Sequence, residues 1–199
     1  MFTGIIEETG IVEKKISNLD GIELTIHADK VIEDLKVNDS VSCSGICLTV
    51  TKLMDRSFVV QLVEETIYRT TAKLWNVNTR INLERSLLPT TRLGGHFVQG
   101  HVDTVIKIND IRKKDESAVW DFELTDDIKN YVIEKGSISL DGISLTIAKK
   151  FEDCFSVALI PHTLDITTWG EKNIGDFINV EVDMMAKYLE NFIGNKNEV

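Results

Sequence analysis

Two heptapeptides hold the residues of greatest chemical interest: SGICLTV, beginning at Ser44, and DGISLTI, beginning at Asp141. They agree at Gly, Ile, Leu and Thr and differ in their reactive atoms. Cys47 of the first stands where the second has Ser144, and Ser44 stands where the second has Asp141. A thiolate is a nucleophile, whereas a serine hydroxyl donates and accepts hydrogen bonds. A cysteine in an apolar strand is more often inert core, but a core site would sooner exchange it for Ala or Val than for a hydroxyl. Two further differences have the same character: Glu65 matches His162, and His101 matches Ile5. His96 and His101, in GGHFVQGHVD, also fit turn histidines that bond a backbone carbonyl. Asp141 also fits a turn residue, and Lys135 a cation placed at a helix end by the dipole. Cys43, Cys47, His96 and His101 could in principle bind a metal, but C-x3-C and H-x4-H are not usual zinc spacings, and no metal is expected.

The elements that position these residues are written twice. At a constant offset of 97, residues 38–86 lie on 135–183 without a gap, and 17 of the 49 pairs are identical. Ser40/Ser137, Gly45/Gly142, Leu48/Leu145, Thr49/Thr146, Asn82/Asn179 and Glu84/Glu181 are among them. Upstream, with a shift of one, Gly4-Ile5-Ile6-Glu7 falls on Gly100-His101-Val102-Asp103. A fixed-period repeat of this kind means two tandem modules. Pro89 and Gly94-Gly95 punctuate the junction, so the expected organisation is a first module at 1–90, a second at 91–184, and a helix and tail at 185–199.

Alternation and β-branched residues predict strands at 4–16, 22–27, 40–53, 58–63 and 80–87, with equivalents in the second half. Helical pieces are expected at 29–36 and 126–134, then at 64–75 and 162–170. Several short strands with one or two small helices in about 90 residues suggest an all-β module, a small closed antiparallel barrel. Residues 184–193 stand outside the repeat, and Met185, Tyr188, Leu189, Phe192 and Ile193 fall at helical spacing. Such a helix packs on its own domain or joins subunits.

Composition narrows the function classes. Hydrophobic content of 43% and charged content of 27% are those of an ordinary globular protein. A formal charge of −10 disfavours nucleic acid and anionic membrane surfaces as partners. No apolar run approaches the roughly 18–20 residues that span a bilayer, and the N-terminus lacks the basic and apolar regions of a signal peptide. With Phe2 following Met1, the fold is expected to begin at residue one. Three cysteines without framework spacing suggest a reduced, cytoplasmic setting. Phosphate-loop, dinucleotide and nucleophile-elbow motifs are missing. The polar groups shared by the two copies are Ser, Thr and backbone amide, which suit a neutral, hydrogen-bonding ligand.

MFTGIIEE, GICLTVT, GGHFVQGHVD, KGSISLDGISLTI and IPHTL, in this order and spacing, resemble riboflavin synthases of the α-subunit, lumazine-dismuting type across essentially the whole chain. The resemblance implies two six-stranded antiparallel Greek-key barrels and a C-terminal helix that assembles a homotrimer. It implies a four-carbon transfer between two molecules of 6,7-dimethyl-8-ribityllumazine, giving riboflavin and 5-amino-6-(ribitylamino)uracil. No cofactor is implied, and lumazine synthase is an associated partner in some lineages. Each barrel would hold one lumazine, with the working site between barrels of neighbouring subunits. The lumazine- and flavin-carrying antenna proteins of luminous bacteria are the non-catalytic alternative of the same fold.

Carried onto this chain, the ligand-contacting segments of the first barrel are Gly4, Ile5 and Ile6; Cys47, Leu48 and Thr49; and Gln61, Leu62, Val63, Glu64, Glu65 and Thr66. Those of the second are Gly100, His101 and Val102; Lys135; Ser144, Leu145 and Thr146; and Leu159, Ile160, Pro161, His162, Thr163 and Leu164. Ser40, Cys47 and His101 match the catalytic polar residues, with Phe2, Asp141, Ser144 and Asp183 close by. His101 is the expected general acid–base, since imidazole titrates near neutral pH. Cys47, or a water it positions, is expected to add at the ring's C7 or to stabilise the carbanion formed by loss of a proton from the C7 methyl. Ser40 and Ser144 are expected to relay protons or orient the ring, and Thr49 and Thr146 to bind the pterin edge.

Overall fold

Residues that alternate between apolar and polar close into two barrels in the computed structural model, which describes residues 1–18, 21–114 and 117–194. The first barrel comprises β1 (Glu8–Asn18), β2 (Gly21–His27), β3 (Ser40–Cys43), β4 (Ile46–Leu53), β5 (Ser57–Leu62) and β6 (Arg80–Arg85). The second repeats them as β7 (Thr104–Lys114), β8 (Ser117–Glu123), β9 (Ser137–Leu140), β10 (Ile143–Lys150), β11 (Cys154–Leu159) and β12 (Phe177–Val182). Both close in one order, β1-β2-β5-β4-β3-β6 and β7-β8-β11-β10-β9-β12. The ladder register shifts at Val12/Lys14 and Val50/Lys52, and again at Ile108/Asp110 and Ile147/Lys149. Such bulges bend the strands, as closing a small barrel requires.

The strand expected at 40–53 is a hairpin. Ser44 and Asp141 take left-handed backbone (φ 44° and 46°), each followed by a glycine of φ about 80°. This is the two-residue turn whose twist matches that of the flanking strands. The helix expected at 64–75 breaks in two, α1 (Glu64–Arg69) and a 3-10 turn at Thr71–Leu74. Thr70 is extended there: its hydroxyl donates to the Thr66 carbonyl (2.6 Å) and accepts from the Ala72 N–H. Thr167 likewise separates α2 (Pro161–Ile166) from the turn Thr168–Glu171. The segments expected as helices at 29–36 and 126–134 hold a 3-10 turn at Val31–Glu33 and hydrogen-bonded turns. Stretches this short cannot sustain helix nucleation, and they bury Val31, Ile128 and Val132 in the barrels instead.

The interiors differ. The first is mainly aliphatic, around Leu24, Ile26, Val50, Phe58, Ile81 and Leu83. The second stacks Trp120 on Trp169 with centroids 5.1 Å apart, beside Phe122 and Phe155.

Across the junction the barrels trade hydrogen bonds symmetrically. The Asn82 amide donates to the Asp141 carbonyl (3.0 Å) and accepts from the Thr168 N–H (2.8 Å). The Asn179 amide donates to the Ser44 carbonyl and accepts from the Thr71 N–H, both at 2.8 Å. Beyond the barrels, α3 (Met184–Gly194) follows Asp183, whose carboxylate accepts from the Met185 N–H. Residues 195–199 of the expected tail lie outside the described residues. Among the described residues no helix is long and apolar enough to cross a membrane.

Candidate functional site

On β4, Leu48 and Val50 turn into the barrel, while Cys47 and Thr49 turn outward. At the end of β5, Gln61 and the following Val63 are exposed on either side of the buried Leu62. Ser40 pairs with Thr49 on the adjoining strand. The second barrel repeats this with Ser144 and Thr146 on β10 and with Ile160 and Thr163 after β11. Two outward faces of like build therefore exist, with a thiol on one and a hydroxyl on the other. Period-two alternation turns the side chains of Leu48, Leu62 and Leu159 into the cores, leaving only their backbone toward the outward faces.

The chain ahead of each barrel covers the face of the other one. β5 pairs with β4 only from Val50 onward, which leaves the Cys47 N–H without a ladder partner, and it donates to the Gly100 carbonyl at 2.8 Å. The Ser144 N–H donates to the Gly4 carbonyl at the same distance. Ile6 packs in the second barrel's core and Val102 against the first barrel's. The structure thus sets Gly4 beside Ser144 and Gly100 beside Cys47, across the grouping by barrel that the resemblance implies. Phe2 and Val98 lock the exchange with a reciprocal pair of backbone hydrogen bonds. Phe2 is wholly buried at this crossing rather than open to a ligand.

Two carboxylates hold the crossing segments. Glu84 on β6 accepts from the Thr3 N–H (2.7 Å), the Thr3 hydroxyl (2.6 Å) and the Gly4 N–H (3.0 Å). Glu181 on β12 accepts from the N–H groups of Gln99 (2.6 Å), Gly100 (2.7 Å) and His101 (2.9 Å). Burial raises both carboxyl pKa values, and the donated hydrogen bonds oppose that rise.

His96 was not among the expected site residues, yet its Nδ1 lies 2.7 Å from the Ser144 hydroxyl. Burial lowers its pKa from 6.5, while the negative charge of Asp183 acts in the opposite sense. Ser144, His96 and Asp183 thus form one group. His101 is exposed beside Cys47, its backbone fixed by Glu181.

Other expected residues fall elsewhere. Asp141, expected beside the catalytic groups, is buried at the barrel junction. Its carboxylate accepts from the Asn179 N–H (2.9 Å) and Trp169 Nε1 (3.2 Å), with Lys172 Nζ at 3.7 Å. The residues matching Trp169 and Lys172 in the first barrel are Ala72 and Trp75. The Ser44/Asp141 difference is therefore a packing exchange. Glu65 is exposed and paired with Arg69 on α1. Glu64, Pro161 and His162 are exposed at the helix starts, and Leu164 packs against the second core. Lys135 is exposed in a left-handed turn before β9, where the first barrel has Asn38. Cys43 lies in the first core, where burial pushes its thiol pKa up, and it does not share the outward face of Cys47.

A cavity of about 680 Å³ opens behind Glu84, lined by Leu35, Arg85, Leu88 and Arg92, and it meets the expected site only at Ile5. Cys47 and Ser144 are instead half-buried beneath the crossing segments, and Thr49 and Thr146, farther along the same strands, are exposed.

Two barrels of one order, each with an outward polar face, match a defined class: the lumazine binding domain model fits residues 3–86 and again 99–183. Riboflavin synthase of Bacillus subtilis is 40% identical across the whole chain and 92% of its own length. That of Schizosaccharomyces pombe is 38% identical over 97% of the chain and 94% of its own length. The chain belongs to the riboflavin synthase family of lumazine-binding-domain proteins. Among solved structures, LumP complexed with 6,7-dimethyl-8-(1'-D-ribityl) lumazine superposes with a TM-score of 0.82 at 21% identity, covering 92% of this chain and 99% of that one. At that identity the likeness speaks for the fold alone.

Proposed function

We propose that the protein converts two molecules of 6,7-dimethyl-8-ribityllumazine into riboflavin and 5-amino-6-(ribitylamino)uracil. One lumazine would lie on the Cys47–Thr49 face under Gly100–Val102, the other on the Ser144–Thr146 face under Gly4–Ile6. The observation that carries this reading is a pair of matching faces whose reactive groups differ. Donor and acceptor are the same molecule, so their pockets should share a framework and part at the chemistry.

On the second face, neutral His96 and the Ser144 hydroxyl, 2.7 Å apart, suit a proton relay that takes a proton from the acidic C7 methyl of a lumazine. On the first face, Cys47 and His101 suit addition at C7 and proton return. Thr49 and Thr146 would hold the pterin edges, with Ser40 beside Thr49. Holding two rings together accounts for much of the rate, because it removes the entropy of their encounter.

The two faces are only partly covered, and the apolar Val63 and Ile160 beside them are exposed. This favours a site completed by a neighbouring subunit. The exposed apolar side of α3 favours a homotrimer built through these helices. The cysteines, all free, suit a reducing cytoplasm.

The test is to mix the purified protein with the lumazine and follow riboflavin absorbance without added cofactor. Riboflavin should form, with one diaminouracil released for each. A lumazine that stays bound and unchanged would select the antenna reading instead.

A further inference from the structure

Glu84 and Glu181 are identical across the repeat, buried, and absent from every step of the proposed chemistry. A carboxylate this deep normally faces a cation or a metal. These two are held mainly by backbone N–H groups: those of Thr3 and Gly4 in one case, with the Thr3 hydroxyl, and those of Gln99, Gly100 and His101 in the other, where the charge of Lys187 adds a smaller favourable effect. Each carboxylate is rooted in the last strand of its own barrel, and the segment it holds passes straight to the other barrel. There the carbonyl of the held glycine receives the N–H of Ser144 or of Cys47 at 2.8 Å. The contact is flush. A methyl group on Gly100 would lie 2.6 Å from Cys47 Cβ, and one on Gly4 would lie 2.5 Å from Ser144 Cβ. Two hydrogen-bond steps therefore join Glu181 of the second barrel to Cys47 of the first, and Glu84 of the first to Ser144 of the second.

We propose that Glu84 and Glu181 are crossed positioning residues, each anchored in one barrel and setting the reactive strand of the other. This rests on the reading of the Cys47 and Ser144 faces as the two lumazine faces. Glu181 sets Cys47 together with the His101 backbone, and Glu84 sets Ser144. Neither carboxylate touches the rings. The arrangement makes each face depend on both barrels, so the two halves of the reaction cannot lose register separately.

The test uses the full-length protein with Glu181→Gln and Glu84→Gln. The replacement keeps shape but turns an amide N–H toward backbone donors. Amide hydrogen exchange is followed in the peptides containing Cys47 and Ser144, alongside turnover of the lumazine. Glu181→Gln should raise exchange at Cys47 about tenfold and leave Ser144 unchanged, and Glu84→Gln should do the reverse, as expected for losing one charge-assisted hydrogen bond. In both, kcat should fall about tenfold with a smaller change in KM. Exchange that rises in the substituted residue's own barrel, or equally in both barrels, overturns the proposal, as does unchanged turnover in an enzyme active before substitution. If a Gln variant does not fold, Glu181→Asp and Glu84→Asp retain the charge, shorten the reach and must give the same crossed pattern. The exchange arm does not depend on turnover, so it remains decisive even if the protein makes no riboflavin.

Discussion

Cys47 and Ser144 occupy one position in two barrels, and each is bounded by a glycine in left-handed backbone. Gly100 has φ +78°, where an L-residue is strained, and its Cα abuts Cys47. Gly100→Ala should lower stability by roughly 2–3 kcal/mol from strain plus overlap, and should move the thiol off its face. Thermal melting and kcat would measure the two effects; full turnover with an unchanged melting temperature would refute the flush contact. His96 allows a prediction with a definite sign. Burial favours its neutral ring, so the pKa lies below 6.5, and a rate that needs neutral His96 should fall only as pH drops below that value. In His96→Gln this acid limb should vanish and turnover should drop about 100-fold, the usual scale of acid–base assistance. Comparison of the repeats could not have flagged His96, because a shift of 96 places its counterpart ahead of Met1. Asp141 shows the converse: a chemical-looking difference that Trp169 and Lys172 explain by packing.

At the scale of elements, alternation was enough to place the strands, because each barrel strand has one face inside and one outside. It failed where short-range chemistry takes over. The Ser44-Gly45 turn hides inside an unbroken run of strand-forming residues, and Thr70 and Thr167 stop helices that composition alone would continue. The identical pair Asn82/Asn179 was visible in the repeat, but its purpose was not, since each side chain serves the opposite barrel. Asn82→Ala should leave the Asp141 carbonyl and the Thr168 N–H without their partner at a buried junction. The expected loss is roughly 2–4 kcal/mol by denaturant unfolding, and Asn179→Ala should match it by pseudo-symmetry. A loss below about 0.5 kcal/mol would mean that the junction draws little from these bonds.

For the whole molecule, the exchange of leading segments ties both faces into one body, yet each keeps exposed residues at the surface. The surface of α3 points to what covers the rest of them. Its polar side is docked on the second barrel, with Lys187 Nζ 2.6 Å from the Asp103 carboxylate and Glu190 accepting from Asn130 at 3.1 Å. The other side presents Met185, Tyr188, Leu189, Phe192 and Ile193, each at least 58% exposed. A continuous apolar stripe on an anchored helix fits a helix-to-helix subunit contact better than a surface left to water. Leu189→Glu combined with Phe192→Glu places charge on that stripe without touching either barrel. If these helices build the proposed homotrimer, light scattering should show the double variant as a monomer, with far-ultraviolet circular dichroism unchanged because the substituted side chains lie outside the barrel cores. If a neighbour completes the site, the monomer should bind lumazine on its intact faces but make riboflavin at least about 100-fold more slowly, since the two rings are no longer held together. Full turnover from a monomer would sink the shared site and place both lumazines within one chain.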